Sequence, residues 1–109
     1  MAYTTVNKSL DFFNTVLYTG NSASSRAITG VGFQPDMTWI KNRDDGSRYH
    51  VLADVVRGAN GSGGMKILYP NDNQGQNTGS TSDIKTFDSD GFTIGSDNNV
   101  NKNGSGQVA

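Results

Sequence analysis

Clusters of turn-forming residues cut this chain into short pieces. Gly-Asn at 20–21, Asp-Asp-Gly at 44–46, a Gly-rich run at 58–64, an Asn- and Gly-rich run at 71–83 and Asp-Gly at 90–91 follow one another along 109 residues. The apolar stretches between them are too short for stable helices. They are rich in β-branched and aromatic residues, which fit a pleated surface. The ten acidic residues are all Asp, with no Glu among them. Asp competes with the backbone for hydrogen bonds and forms helices poorly, so this acidic set also argues against helices. About six or seven short strands, with turn signals about every 8–12 residues, predict an all-β sandwich or barrel. The length predicts a single domain over residues 1–109.

"NTVLYTG" (residues 14–20) reads as a strand, and "NSASSRAITG" (residues 21–30) as a polar loop. "DMTWIKN" (residues 36–42) alternates, with Met37 and Trp39 on one face and Thr38, Ile40 and Asn42 on the other. "RDDGS" predicts a tight hairpin turn in which Asp-Gly supplies the positive φ. "RYHVLADVV" (residues 48–56) then returns as a strand. "MKILYP" (residues 65–70) is the next strand and residues 71–83 a long surface loop. "IKTFDSDGFTIGS" (residues 84–96) is a second hairpin, and "QVA" begins a last strand. The one helix candidate is the short "KSLDFFN" (residues 8–14), which Ser9 could cap. The expected core comprises Trp39, Phe33, Ile40, Leu52, Phe87, Phe92 and Ile94.

Charge and composition exclude several functions. The net charge is −1 and the basic residues are scattered, so no nucleic-acid-binding stripe is present. No apolar run approaches the roughly 18 residues of a membrane span. "MAYTTVNKSLDFF" lacks the apolar segment of a signal peptide. The absence of Cys excludes disulfides, thiolate metal sites and Cys nucleophiles.

Candidate chemistry is sparse. His50 is the sole histidine. Asp54 shares its strand face but lies roughly 13 Å along it, too far to orient an imidazole, so His50 reads as structural. "DSDG" (residues 88–91) resembles the start of an EF-hand loop, yet the twelfth position from Asp88 is Asn99 and no Glu is available. A hairpin turn with Asp side chains on nearby backbone N–H groups is the favoured reading, and a shallow calcium site at Asp88 and Asp90 the alternative. "GANGSGG" (residues 58–64) lacks the Lys-Ser/Thr pair of a phosphate loop. No cofactor is expected. No two Asp residues can be placed face to face, so enzymatic hydrolysis is not expected either. Trp39 reads as a core anchor, with a sugar-stacking platform as the alternative. Tyr69, Asn71, Asp72 and Asn73 are the glycan-contact candidates, an aromatic beside amide and carboxylate groups on an exposed loop.

Four segments carry a resemblance: "YTGN" (residues 18–21), "ITGVGFQPDMTWIKNR" (residues 28–43), "HVLADVVRG" (residues 50–58) and "FDSDGFTIGSDNNVNKNG" (residues 87–104). Their order and spacing over about residues 17–109 resemble a module of bacteriophage tail-fibre and other virion surface proteins, especially of marine and cyanobacterial phages. The resemblance implies a lectin-like β-sandwich, concanavalin-like or jelly-roll-like, on the virion exterior, extracellular after release by lysis. It implies a structural module that assembles with other virion subunits as a homo-oligomer and contacts host surface polysaccharide. A stand-alone carbohydrate-binding module for adhesion is the alternative. The resemblance supplies no catalytic residue. Related modules continue after "VA" with a Trp-rich strand, and residues 60–80 depart from the usual version. The last strand is therefore expected to be incomplete, to be completed by another subunit, or to continue beyond Ala109. An uncovered edge near Ala109 would suit pairing with a neighbouring subunit.

Overall fold

A computed structural model describes residues 8–109. Part of the segment read above for a signal peptide lies outside the described residues. Seven strands form two antiparallel sheets: β1 (Leu17–Thr19), β2 (Arg26–Ile28), β3 (Met37–Asn42), β4 (Val51–Asp54), β5 (Ile84–Asp88), β6 (Gly91–Ile94) and β7 (Gly106–Val108). One sheet has the order β1-β7-β3-β4 and the other β2-β6-β5. A short helix α1 (Asn98–Asn101) links β6 to β7. The all-β reading holds, and the architecture is a small antiparallel β-sandwich.

Alternation builds the core. Ile40 on β3 faces inward opposite Val51 on β4, and Thr38 opposite Ala53. The second sheet answers with Ile28, Phe92, Ile94 and Ile84, all buried. Ile84 and Phe87 are three apart, so strict alternation would send them to opposite faces. A bulge between Ile84 and Thr86 absorbs one residue and lets Ile84 pair with Ile94 and Phe87 with Phe92. Gly91 at the start of β6 has no room for a Cβ, because the Ile28 carbonyl occupies that space.

Several expectations are corrected. Residues 21–30 contain β2, which pairs with β6 through Arg26↔Ile94, Ala27↔Thr93 and Ile28↔Phe92. Asp45-Gly46 does not form a two-residue hairpin turn, and Gly46 has no positive φ. Residues 43–50 instead form a longer loop tied to the sandwich. Asn42 Oδ1 accepts from Asp44 N and Asp45 N, Gly106 N donates to Asp44 Oδ2 at 2.6 Å, and Lys102 Nζ sits 2.6 Å from Asp45 Oδ2. β4 accordingly starts at Val51 and not at Arg48, and Val55 and Val56 lie exposed beyond it. Residues 65–70 form no regular strand. Met65, Ile67 and Tyr69 are buried alternately, but the segment pairs only through isolated bridges. The segment 8–14 yields one 3-10 turn, Ser9–Asp11, whose N-cap is Lys8 with no side-chain cap bond.

α1 is a helix that the sequence reading missed. Asp97 caps it, accepting from Asn99 N at 2.7 Å. Buried Asn101 explains its place: its Nδ2 donates to Ala23 and Gly95 carbonyls, and its Oδ1 accepts from Asn21 N. β7 lies inside its sheet, between β1 and β3. Ala109 exchanges backbone hydrogen bonds with Val16 at 3.0 Å, so no open edge lies at Ala109. The edge strands of this sheet are β1 and β4.

Candidate functional site: an apolar cleft around Trp39

The face of β3 that points away from the core carries Met37, Trp39 and Lys41. Trp39 is 48% exposed, which corrects its expected place in the core. Its cross-strand neighbour Leu52 shares this outer face and is only partly buried. The inward positions of β3 went to Thr38, Ile40 and Asn42. Of the other expected core residues, Ile40, Phe92 and Ile94 are buried, and Phe33 and Phe87 pack against the core while partly exposed.

Trp39 borders a cleft of about 530 Å³. Met37, Trp39 and Lys41 of β3 line it, together with His50, Phe12, Phe13 and Val16 before β1, and Phe33 to Asp36 before β3. Val31 and Phe92 form its inner end, and Val108 and Ala109 border it as well. Phe12 and Phe13 are 65% and 71% exposed, a large apolar display for so small a domain. The sequence signal for this site was the Phe12-Phe13 pair among polar neighbours, which the helix-or-strand reading of residues 8–14 absorbed.

The indole is held in place. Trp39 Nε1–H donates to His50 Nδ1 at 3.0 Å, and the ring centroids lie 5.9 Å apart. An acceptor at Nδ1 requires a neutral imidazole protonated at Nε2. Burial, followed by the nearby Lys41 ammonium, holds the His50 pKa below its ordinary 6.5 and keeps that form. The backbone of His50 is fixed too, since its N–H donates to Asn71 Oδ1 at 2.8 Å. His50 therefore orients Trp39, and Asn14, Thr15, Gln34, Asp36, Thr38 and Lys41 are the other polar residues along the cleft.

The glycan candidates scatter. Tyr69 is 9% exposed, so the expectation of an exposed aromatic on that loop is corrected. Its ring packs against Tyr49 in a tilted arrangement with centroids 5.1 Å apart, and its hydroxyl accepts from Asn77 Nδ2 at 3.0 Å. Asn71 supports His50 and so adjoins the cleft. Asp72 accepts from Asn73 N and Gln74 Nε2 at 2.7 Å each, and Asn73 is exposed.

The hairpin carboxylates are also engaged. Asp90 accepts from Gly30 N at 3.0 Å and Gly32 N at 2.7 Å, one with each oxygen. Those glycines adopt positive φ, which aims both N–H groups at one carboxylate. These donors hold the Asp90 pKa below the usual carboxylate range. Asp88 accepts from the Thr86 and Thr93 hydroxyls. The expectation of bonds to nearby backbone N–H groups is thus corrected: Asp90 reaches a loop far back in the chain, and Asp88 takes hydroxyls. Among the described residues no three His, Cys, Asp or Glu side chains gather to hold a metal ion.

Fold and cleft define a compact antiparallel β-sandwich with an aromatic-lined cleft beside one sheet. A family model for a domain of unknown function, DUF7483, matches residues 8–109, and the chain belongs to that family. No curated protein matches the chain, and no solved structure does.

Proposed function

We propose that this domain is a non-catalytic contact module of a virion surface protein, of the tail-fibre kind that the sequence resemblance implies. Its cleft seats apolar side chains of a neighbouring subunit. The observation that carries the reading is Trp39, half exposed yet fixed by His50, in a cleft walled by Phe12, Phe13, Val16 and Phe33. A rigid aromatic beside unsatisfied apolar surface is the usual make-up of an interface hot spot. The polar groups bordering the cleft fit orientation of a partner better than turnover of a substrate.

Host-glycan adhesion is the second reading, with Trp39 and not Tyr69 as the stacking platform. It draws on the fixed indole and on the Asp36, Gln34 and Lys41 side chains beside it. Trp39→Ala separates the two when chain incorporation into particles and binding to a glycan array are both measured. Loss of incorporation with a silent array supports assembly. Array binding that Trp39→Ala abolishes, with normal incorporation, supports adhesion. Both properties unchanged in Trp39→Ala rejects the cleft as the contact surface.

A further inference from the structure

We propose that the open edge of β1 is a self-association site, at which a second copy of this chain adds its own β1 antiparallel about a twofold axis through Leu17. This edge adjoins the cleft, whose lining includes Thr15 and Val16, but the proposal rests on the backbone of β1 and goes beyond the contact reading above.

The ladder fixes where each backbone group points. Val16 and Ala109 exchange bonds in both directions, Gly20 N donates to the Ser105 carbonyl, and Tyr18 stands opposite Gln107. Bonded pairs alternate in an antiparallel ladder, so residues 16, 18 and 20 face β7. The N–H and C=O groups of Thr15, Leu17 and Thr19 then face the open side. Two of them are closed within the chain: Thr15 N–H donates to Asn14 Oδ1 at 2.9 Å, and the Thr19 carbonyl accepts from Arg26 Nη1 at 2.5 Å. The Thr15 carbonyl, both Leu17 groups and Thr19 N–H have no partner among the described residues.

That remainder is self-complementary. Pairing about Leu17 sets Leu17 against Leu17 and Thr15 against Thr19. The two bonds lost are those joining Thr15 N–H to the Thr19 carbonyl, the groups already closed. The bonds left use only the free groups of each copy. A strand of another protein carries no matching closure and would face blocked positions at both ends. A second copy, blocked at the same places, loses nothing. The other edges are less open. Leu68 exchanges backbone bonds with Leu52 at β4, and Met65 N and Gln34 Nε2 take carbonyls of β5. At the β2 edge, Asp90 holds the chain just beyond the strand, accepting from Gly30 N. The β1 edge has no Lys, Pro or bulge to guard it, and Leu17 is 65% exposed. The axis brings the two Leu17 side chains together on the outer sheet face.

Sedimentation of the full chain over a concentration series, with amide hydrogen exchange, tests the proposal. The wild-type chain is expected to sediment as a dimer with Leu17 and Thr19 amides protected. Leu17→Lys sets two ammonium groups against each other and should give a monomer, with exchange at Thr19 at least tenfold faster. Leu17→Pro removes only an outward N–H, a change that edge strands tolerate, and should also give a monomer. Circular dichroism confirms that each variant is folded, and Leu17→Lys alone decides if the proline variant does not fold. A wild-type monomer at every concentration overturns the proposal. So does a dimer that survives Leu17→Lys, or a monomer whose Leu17 amide is protected.

Discussion

Trp39 donates its indole N–H to Nδ1 of His50 at 3.0 Å, across a β3–β4 pair whose register puts Trp39 opposite Leu52. The bond joins the only Trp and the only His of the chain on the cleft side of the sandwich. It converts a half-exposed aromatic into a fixed one, and it makes that rigidity depend on the protonation of one imidazole.

Acidification should therefore release the indole. The His50 pKa is depressed in the folded chain, so the bond's contribution is present above the ordinary value of 6.5 and lost as pH falls through the folded value. Trp39 fluorescence anisotropy should drop on acidification while the circular dichroism stays folded. In His50→Phe the anisotropy should not respond to pH. An unchanged anisotropy in the wild-type chain would show that the bond does not hold the ring.

Asp83 should make the domain less stable above neutrality. It is 3% exposed, and its carboxyl is pushed up to about 6, chiefly by burial and also by the nearby Asp97, against the opposing bond from Ser80. A raised carboxyl pKa stabilises the fold below the unfolded value, and that contribution fades as pH rises through about 6. Asp83→Asn keeps an acceptor for the Ser80 hydroxyl and removes the buried charge. It should raise stability at pH 8 by about 1–3 kcal/mol and have little effect at pH 4. Thermal melts at the two pH values check this.

Gln107 should be replaceable at a gain. It is fully buried on β7, and neither atom of its side-chain amide has a partner among the described residues. Burying an unpaired amide costs more than burying an apolar side chain of the same shape. Gln107→Met should stabilise the chain by about 1–2 kcal/mol in denaturant titration. A loss of that size would mean that the amide is satisfied in solution.

Calcium should leave the melting temperature unchanged. Both oxygens of Asp90 and both of Asp88 already accept hydrogen bonds, from Gly30 and Gly32 and from Thr86 and Thr93. A calcium-dependent rise that Asp90→Asn abolishes would contradict that assignment.

The strands with two readable faces were legible, and which face turned inward was not. Alternation along β3 separates Met37 and Trp39 from Thr38, Ile40 and Asn42 correctly. Hydrophobicity then favours burying Trp39. Trp is so large that it is seldom fully buried, and the inner layer opposite Ala53 and Val51 took Thr38 and Ile40. β2 and α1 were hidden for another reason. Each holds a single large apolar residue among small or polar ones, and their partners are distant in sequence: Ile28 pairs with Phe92, and Asn101 bonds Ala23 and Asn21. The same holds for Asp45, which reads locally as a turn residue but is held by Lys102. The cleft escaped notice because Phe12, Val16, Phe33 and Trp39 come from four separate segments.

Cross-linking from a cysteine at Met37 tests the contact role of the cleft most directly. The chain has no other cysteine, Met37 lines the cleft beside Trp39, and 92%-exposed Val56 lies outside its lining and serves as the control position. On the proposed contact role, a short photoreactive linker on Met37→Cys in the assembled particle should join a neighbouring chain, and the same linker on Val56→Cys should not. No link from Met37→Cys, or equal links from both positions, would contradict the account.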